Sequence, residues 1–279
     1  MILLKNIFLY LLCLASPFYL AQSNKINFMQ REIGFFGGGS YYIGDINSRG
    51  HFLNSHPAGG IYFRYCNTYR TAFRFSLNYG EISANDANSD EAHQKERNLN
   101  FSSKLYEFSS VAEFNFVEYR IGHERHKFTM FLFAGLSAFY FNPTIDLGFG
   151  KEYLSNYNTE GQAYPKIQLG IPFGIGIKMN LGKKVGIGIE WGPRKTFTDY
   201  LDDVSGSYPE TPVYNSNGIN LSDRTIDGSS SFGNMRGNPS NKDWYFYYGL
   251  TLNFKLPDPN KKCHGRGKGE TIKRFKIIF

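Results

Sequence analysis

The residues that could do chemistry stand apart from one another in this chain. Its densest acidic group is T-F-T-D-Y-L-D-D-V-S-G, where Asp199, Asp202 and Asp203 offer carboxylates that could hold Ca²⁺ together with backbone carbonyls. The run has no EF-hand spacing and no following bidentate Glu, so it reads as a solvated acidic loop. Six histidines, His51, His56, His93, His123, His126 and His264, are candidates for the base of a Ser/His pair in acyl transfer. None falls on a strand with a patterned serine partner. The runs G-F-F-G-G-G and G-I-G-I lack the lysine of a phosphate loop and its strand-to-helix change. Their glycines suit strand kinks and close packing instead. The three cysteines, Cys13, Cys66 and Cys263, have neither zinc-like spacing nor a C-x-x-C pair.

What remains is a set of charges placed at regular positions in an apolar pattern, and the pattern says where they go. From Lys166 onward, Ile167, Leu169, Ile171, Phe173, Ile175, Ile177 and Met179 fall on one parity, with Lys166, Gln168, Gly170, Pro172, Gly174, Gly176 and Lys178 on the other. That is the period of a strand. After the tight link L-G-K-K, Val185, Ile187, Ile189 and Trp191 alternate with Gly186, Gly188, Glu190 and Gly192. Each arm is about as long as a tilted membrane-crossing strand. Six further stretches alternate in the same way: Arg31–Gly44, Gly59–Cys66, Tyr69–Ile82, Ser102–Val117, Lys127–Phe141 and Asp243–Leu256. An aromatic content of 17%, 30 glycines and only 20% charged residues fit β structure.

The links between the eight stretches alternate strictly between short and long. Asn67–Thr68 and Leu181–Lys184 are tight and Glu118–His126 is moderate; Asp45–Ala58, Ser83–Phe101, Asn142–Ala163 and Phe197–Lys242 are long and polar. All long loops then lie at one end. A water-soluble barrel has no reason to sort its loops; an outer-membrane barrel does, with short periplasmic turns and long outside loops. The expected fold is all-β, an eight-stranded antiparallel outer-membrane β-barrel whose apolar parity faces lipid. The opposite parity then faces a lumen that side chains fill, so no channel is expected. Arg64, Arg74, Glu107, Glu113, Lys166, Lys178, Glu190, Arg194 and Lys255 are the expected lumen charges, predicted to pair because an isolated charge there is costly. Trp191, Trp244, Tyr79 and Tyr248 are candidates for the interfacial aromatic girdles.

The start of the chain reads as an export signal: Lys5 precedes an uncharged, mostly apolar run to Ala21 that is too short to span as a helix. The predicted organisation is a signal over 1–21, a lead-in over 22–30, the barrel over 31–256 and a tail over 257–279. Most of the net charge of +7 lies in that tail, through Lys261, Lys262, Arg266, Lys268, Lys273, Arg274 and Lys276 against Asp258 and Glu270. The basic pI therefore does not mark a nucleic-acid-binding face. Export permits a disulfide, and Cys66 with Cys263 could pin the tail to the periplasmic end, since the last, first and second strands are neighbours in a closed barrel. Otherwise Cys66 is an ordinary small lumen residue.

Several segments together resemble a known family. E-I-G-F-F-G-G-G-S-Y-Y-I-G-D-I-N, P-A-G-G-I-Y-F-R-Y, A-F-R-F-S-L-N-Y-G, F-A-G-L-S-A-F-Y-F-N-P, I-P-F-G-I-G-I-K and, most specifically, I-E-W-G-P-R-K-T-F-T-D-Y-L-D-D-V-S-G look like the PorG-type outer-membrane barrels of Bacteroidetes. The resemblance spans Arg31 to Leu256 and leaves the tail uncovered. It implies a non-enzymatic component of the type IX secretion machinery that anchors the periplasmic PorK/PorN ring, with outer-membrane lipid and ring proteins as partners and no cofactor. A surface-binding or envelope-stabilising barrel is the alternative, and a lipid-modifying barrel enzyme is the third reading.

Overall fold

A computed structural model describes residues 30–148, 150–225 and 232–257. Ten strands form one sheet: β1 (Gln30–Ile43), β2 (His56–Cys66), β3 (Thr71–Asn85), β4 (Asn100–Asn115), β5 (Phe128–Tyr140), β6 (Pro143–Asp146), β7 (Lys151–Tyr153), β8 (Ile167–Asn180), β9 (Val185–Thr196) and β10 (Trp244–Lys255). Eight of them close on themselves. β1 pairs with β2 and with β10, β3 pairs with β4, and every barrel contact is antiparallel. The two short strands β6 and β7 form a hairpin that extends β4 at its long-loop end through Ser102 opposite Thr144. This hairpin and the short helix α1 (Ala92–Arg97) both lie in links that read as irregular polar loops from sequence.

Alternation decides the two faces. Along β3, Ala72, Arg74 and Ser76 are buried while Phe73, Phe75 and Leu77 are exposed. Along β8, Gly174, Gly176 and Lys178 are buried while Ile175, Ile177 and Met179 are exposed. The outer wall is thus apolar around its whole circumference, with Leu136 70%, Leu169 64% and Leu250 54% exposed on three separate strands. Soluble monomers rarely expose contiguous apolar patches beyond a few hundred Å². A continuous apolar wall on a barrel with a charged interior is the inverse of a soluble fold and has the form of a small transmembrane barrel. No helix among the described residues is long and apolar enough to cross a membrane.

β3 and β4 run on past the other strands, pairing up to Asn85 opposite Asn100. There Ile82, Ala84 and Phe101 keep the inward parity of their strands and join Leu99 in a second packing layer with Ile46, Ile145, Leu154, Leu201, Val204 and Leu221. This layer belongs to the long loops, which pack into a cap over the barrel.

The glycines of β8 have a steric purpose. A Cβ at Gly174 would stand 2.3 Å from the Trp191 carbonyl oxygen and 2.6 Å from the Phe133 ring; one at Gly176 would stand 2.5 Å from the Phe131 ring. Phe131 and Phe133, on the neighbouring strand β5, therefore lie across the small face of β8 and fill the lumen there. Gly176→Val should destabilise the folded barrel by about 1–3 kcal/mol through overpacking, while the outward Ile175→Val should leave it nearly unchanged. The fraction of folded protein by heat-dependent electrophoretic mobility, compared across urea concentrations, separates the two.

Candidate functional site

The lumen holds a network centred on one carboxylate. Glu113, on β4, lies 2.6 Å from the Lys178 ammonium of β8, 3.0 Å from Nε of Arg64 on β2 and 3.2 Å from Nε of Arg74 on β3. Both Nε atoms are within ion-pair distance but misaligned for hydrogen bonding; Arg64 donates instead through Nη2 at 3.2 Å. Arg64 also donates to Glu32 at 2.8 Å and to Asn253 at 2.7 Å, and Arg74 donates to Glu190 at 2.6 Å. Toward the long-loop end, Glu107 accepts from Arg194 at 3.1 Å, Tyr245 at 2.7 Å and Asn78 at 2.8 Å. Four cations thus meet four carboxylates in the lumen.

Aromatic faces supply the remaining contacts. Lys178 lies 4.1 Å from the Phe131 ring centroid, Arg74 4.9 Å from that of Phe133 and Arg194 4.6 Å from that of Tyr247. A cation over a ring face gains most where it has lost water. Strand alternation delivers these partners: the same parity that turns Arg74 inward on β3 turns Phe133 inward on β5 and Tyr247 inward on β10.

Arg64, Arg74, Glu107, Glu113, Lys178, Glu190 and Arg194 are brought together inside the barrel. Lys166 is not. It precedes β8, lies half-exposed beside the cap, and contributes its backbone carbonyl to Phe141. The parity was right, but the strand leaves the lumen before reaching it. Lys255 is half-buried at the opposite end, where its ammonium donates to the Ile121 carbonyl at 3.3 Å. Glu32 was missed: the glycine and tyrosine run that follows it blurs the alternation of β1. Its parity with the inward Gln30 and Gly34 was the available signal. Cys66 ends β2 as a free thiol whose Sγ lies 3.6 Å from Glu32; Cys263, like the export signal and the basic tail, lies outside the described residues.

A second network fills the cap, and it corrects the reading of Asp199, Asp202 and Asp203 as a solvated loop. All three are buried, because the link after β9 folds back beneath the other loops. Tyr42 donates to Asp202 at 2.5 Å and also lies 3.0 Å from Asp243. One hydroxyl thus sits between two buried carboxyls. Asp203 accepts from Tyr164 at 2.6 Å and from Thr159. Arg97 forms a two-pronged pair with Asp86, 2.8 Å at each oxygen, and Arg236 pairs with Glu160 at 3.0 Å. Among the described residues no group of three or more His, Cys, Asp or Glu has metal-holding geometry.

His56 also needs a correction: it does have a serine partner. Its Nε2 lies 2.7 Å from Ser83 Oγ across the β2–β3 pair. No carboxylate meets the other ring nitrogen among the described residues, so the pair lacks the third group that orients a catalytic base. Diagonal cross-strand positions, not spacing along the chain, create this contact. The girdle candidates lie at the long-loop rim: Trp191 donates to Tyr41 at 3.1 Å, Trp244 stacks near Phe246, and the rings of Tyr79 and Tyr106 are 5.3 Å apart.

Removing the centre of the lumen network leaves three cations facing one another. Glu113→Ala is expected to cost about 3–5 kcal/mol. The double variant Glu113→Gln with Lys178→Met should lose less than the sum of the single changes, measured as a double-mutant cycle in urea titrations.

In the cap, burial pushes the Asp202 and Asp243 carboxyls well above the usual range, and Asp45 and Asp203 up to about 6. The unfolded chain gives up these protons at lower pH than the cap does. Stability from protonated carboxyls is therefore full below about pH 4 and is lost as pH rises through about 6. Limited proteolysis of the long loops should be slower at about pH 5 than at about pH 8. Asp202→Asn should retain much of the slow rate at the higher pH.

Structures of similar shape include Ail, the attachment invasion locus protein of Yersinia pestis, in complex with the heparin analogue sucrose octasulfate, at 8% identity over 82% of this chain and 99% of that one, TM-score 0.40. Neisserial surface protein A has 10% identity over 81% and 97%, TM-score 0.41. OprG from Pseudomonas aeruginosa has 8% identity over 81% and 97%, TM-score 0.38. No curated protein matches the chain. The family profile described as a domain of unknown function, DUF6089, matches residues 5–265, and the chain belongs to that family.

Proposed function

We propose that the protein is a non-enzymatic outer-membrane barrel that anchors a periplasmic protein-secretion assembly to the membrane. The observation that carries this reading is the solid lumen. The void among Tyr62, Arg74, Phe133, Glu190, Arg194 and Tyr247 is about 10 Å³, room for about one water at most. A barrel plugged by its own ion pairs has no room for a solute pathway. Its useful surfaces are then its two ends. The resemblance to PorG-type barrels supports the periplasmic end, with ring proteins of the PorK/PorN kind meeting the short turns.

Affinity capture of the intact protein from envelopes should recover periplasmic ring proteins. Recovery should fall when the turns at 67–70, 118–126 and 181–184 are altered. Secretion that persists unchanged in a deletion strain would overturn the anchoring role. Ion conductance of the reconstituted monomer at the level of an open porin would overturn the sealed-lumen premise. Ser83→Ala and His56→Ala should leave envelope lipid composition unchanged; altered acylation would move the protein to the enzyme class.

A second reading rests on the opposite end. The cap carries an open groove of about 840 Å³ bordered by Asp45, Arg49, His93, Asn238, Lys242 and Trp244. Such a groove suits a surface-binding role, tested by whether ligand capture by whole cells depends on Arg49 and Lys242.

A further inference from the structure

The exposed charges are divided unequally between the two ends. At the long-loop end, six exposed Lys and Arg face five exposed Asp and Glu among the described residues. At the short-turn end, Arg70, Arg125, Lys127, Lys183 and Lys184 are exposed against Glu124 alone. None of these five cations forms an ion pair among the described residues. The half-exposed Glu118 is turned toward His126 at 3.5 Å. The chain leaves the barrel at this end too, where Arg31 donates to the Pro257 carbonyl, and the sequence beyond it carries seven basic residues against two acidic ones.

The cations are spread over three turns, and Arg70, Lys127, Lys183 and Lys184 stand close to the apolar wall. They come from the β2–β3, β4–β5 and β8–β9 turns, which take three of the four places around the short-turn end of the closed barrel, the chain ends taking the fourth. Lys127 adjoins Phe128, which is 50% exposed on the wall, and Lys183 and Lys184 share a turn with Leu181, 58% exposed. Arg70 stands three residues from the exposed Phe73, a rise of about 10 Å along a strand. Long cationic side chains at that depth reach the headgroup layer while their stems stay on apolar surface. A single soluble partner would call for charges gathered on one side; a surrounding leaflet calls for charges on all sides.

We propose that the short-turn rim binds the phosphate headgroups of acidic phospholipids in the adjoining leaflet, and that Arg70, Arg125, Lys127, Lys183 and Lys184 form this lipid collar. The inference rests on the membrane reading of the barrel and is independent of the anchoring role. Headgroup attraction at this rim fixes the depth of the barrel and biases its orientation.

The test uses the full mature chain folded into nanodiscs of phosphatidylglycerol and phosphatidylcholine mixed one to three. Native mass spectrometry of the released barrel reads the lipids that stay bound. Several-fold enrichment of phosphatidylglycerol is expected, falling at high salt. The variant Arg70→Gln/Arg125→Gln/Lys127→Gln/Lys183→Gln/Lys184→Gln should lose it. The control Lys195→Gln/Lys242→Gln, at the other end, should keep it, and heat-dependent mobility checks that both are folded. Equal lipid composition in wild type and rim variant overturns the proposal. So does salt-sensitive binding of an acidic protein to the rim without lipid enrichment, which would assign the collar to a protein partner. Failure to enter nanodiscs at all would instead strike the membrane reading.

Discussion

The Glu113 carboxylate, held among Lys178, Arg64 and Arg74, is the interaction on which the barrel depends. A barrel of eight strands is too narrow to leave its interior to water and too wide to close on backbone alone. Its interior must be filled by side chains, and in this chain the filling is charged. Charges in such a place are tolerable only when each has partners, because the cost of stripping their water is large. Four strands contribute to the contacts of this one group, so it ties β2, β3, β4 and β8 across the lumen. Backbone pairing alone links only neighbours around the wall.

Shape and charge are solved together. Glycines at 174 and 176 open the floor on which Phe131 and Phe133 lie, and those rings then roof the Lys178 and Arg74 cations. A larger residue on β8 would displace the rings, and displaced rings would expose the cations to an unfilled void. The small face of the hairpin that first looks like an absence of information is where the lumen finds its volume. The same faces of β9 and β10 supply Glu190, Arg194, Tyr245 and Tyr247, which extend the polar lumen upward toward the cap.

The barrel was legible in the sequence because a period of two over a dozen residues is a local property, and most lumen charges sat on a clean parity. β1 was the exception: Glu32 precedes a glycine run with no contrast to read. Lys166 shows the limit of parity, which gives a direction but not a height along the barrel axis. The cap was hardly legible at all. Asp202 and Asp243 are 41 residues apart in sequence and meet where Tyr42, on a third element, contacts both and Leu201 N–H donates to Asp243. The burial of Asp199, Asp202 and Asp203 depends on loops from four different links packing together, and no spacing within T-F-T-D-Y-L-D-D encodes that. His56 and Ser83 meet for a similar reason, through the register of two strands.

The two networks use opposite solutions to the same dielectric constraint. In the lumen, cations and carboxylates are equal in number, and every buried charge can be balanced without moving a proton. In the cap, Asp45, Asp86, Glu160, Asp199, Asp202, Asp203 and Asp243 gather around Arg97 and Arg236, so carboxyls outnumber the buried cations. Burial then holds several of them protonated, and the cap takes up protons as it closes. The cap is therefore the part of the fold whose stability follows the proton activity of the space it faces.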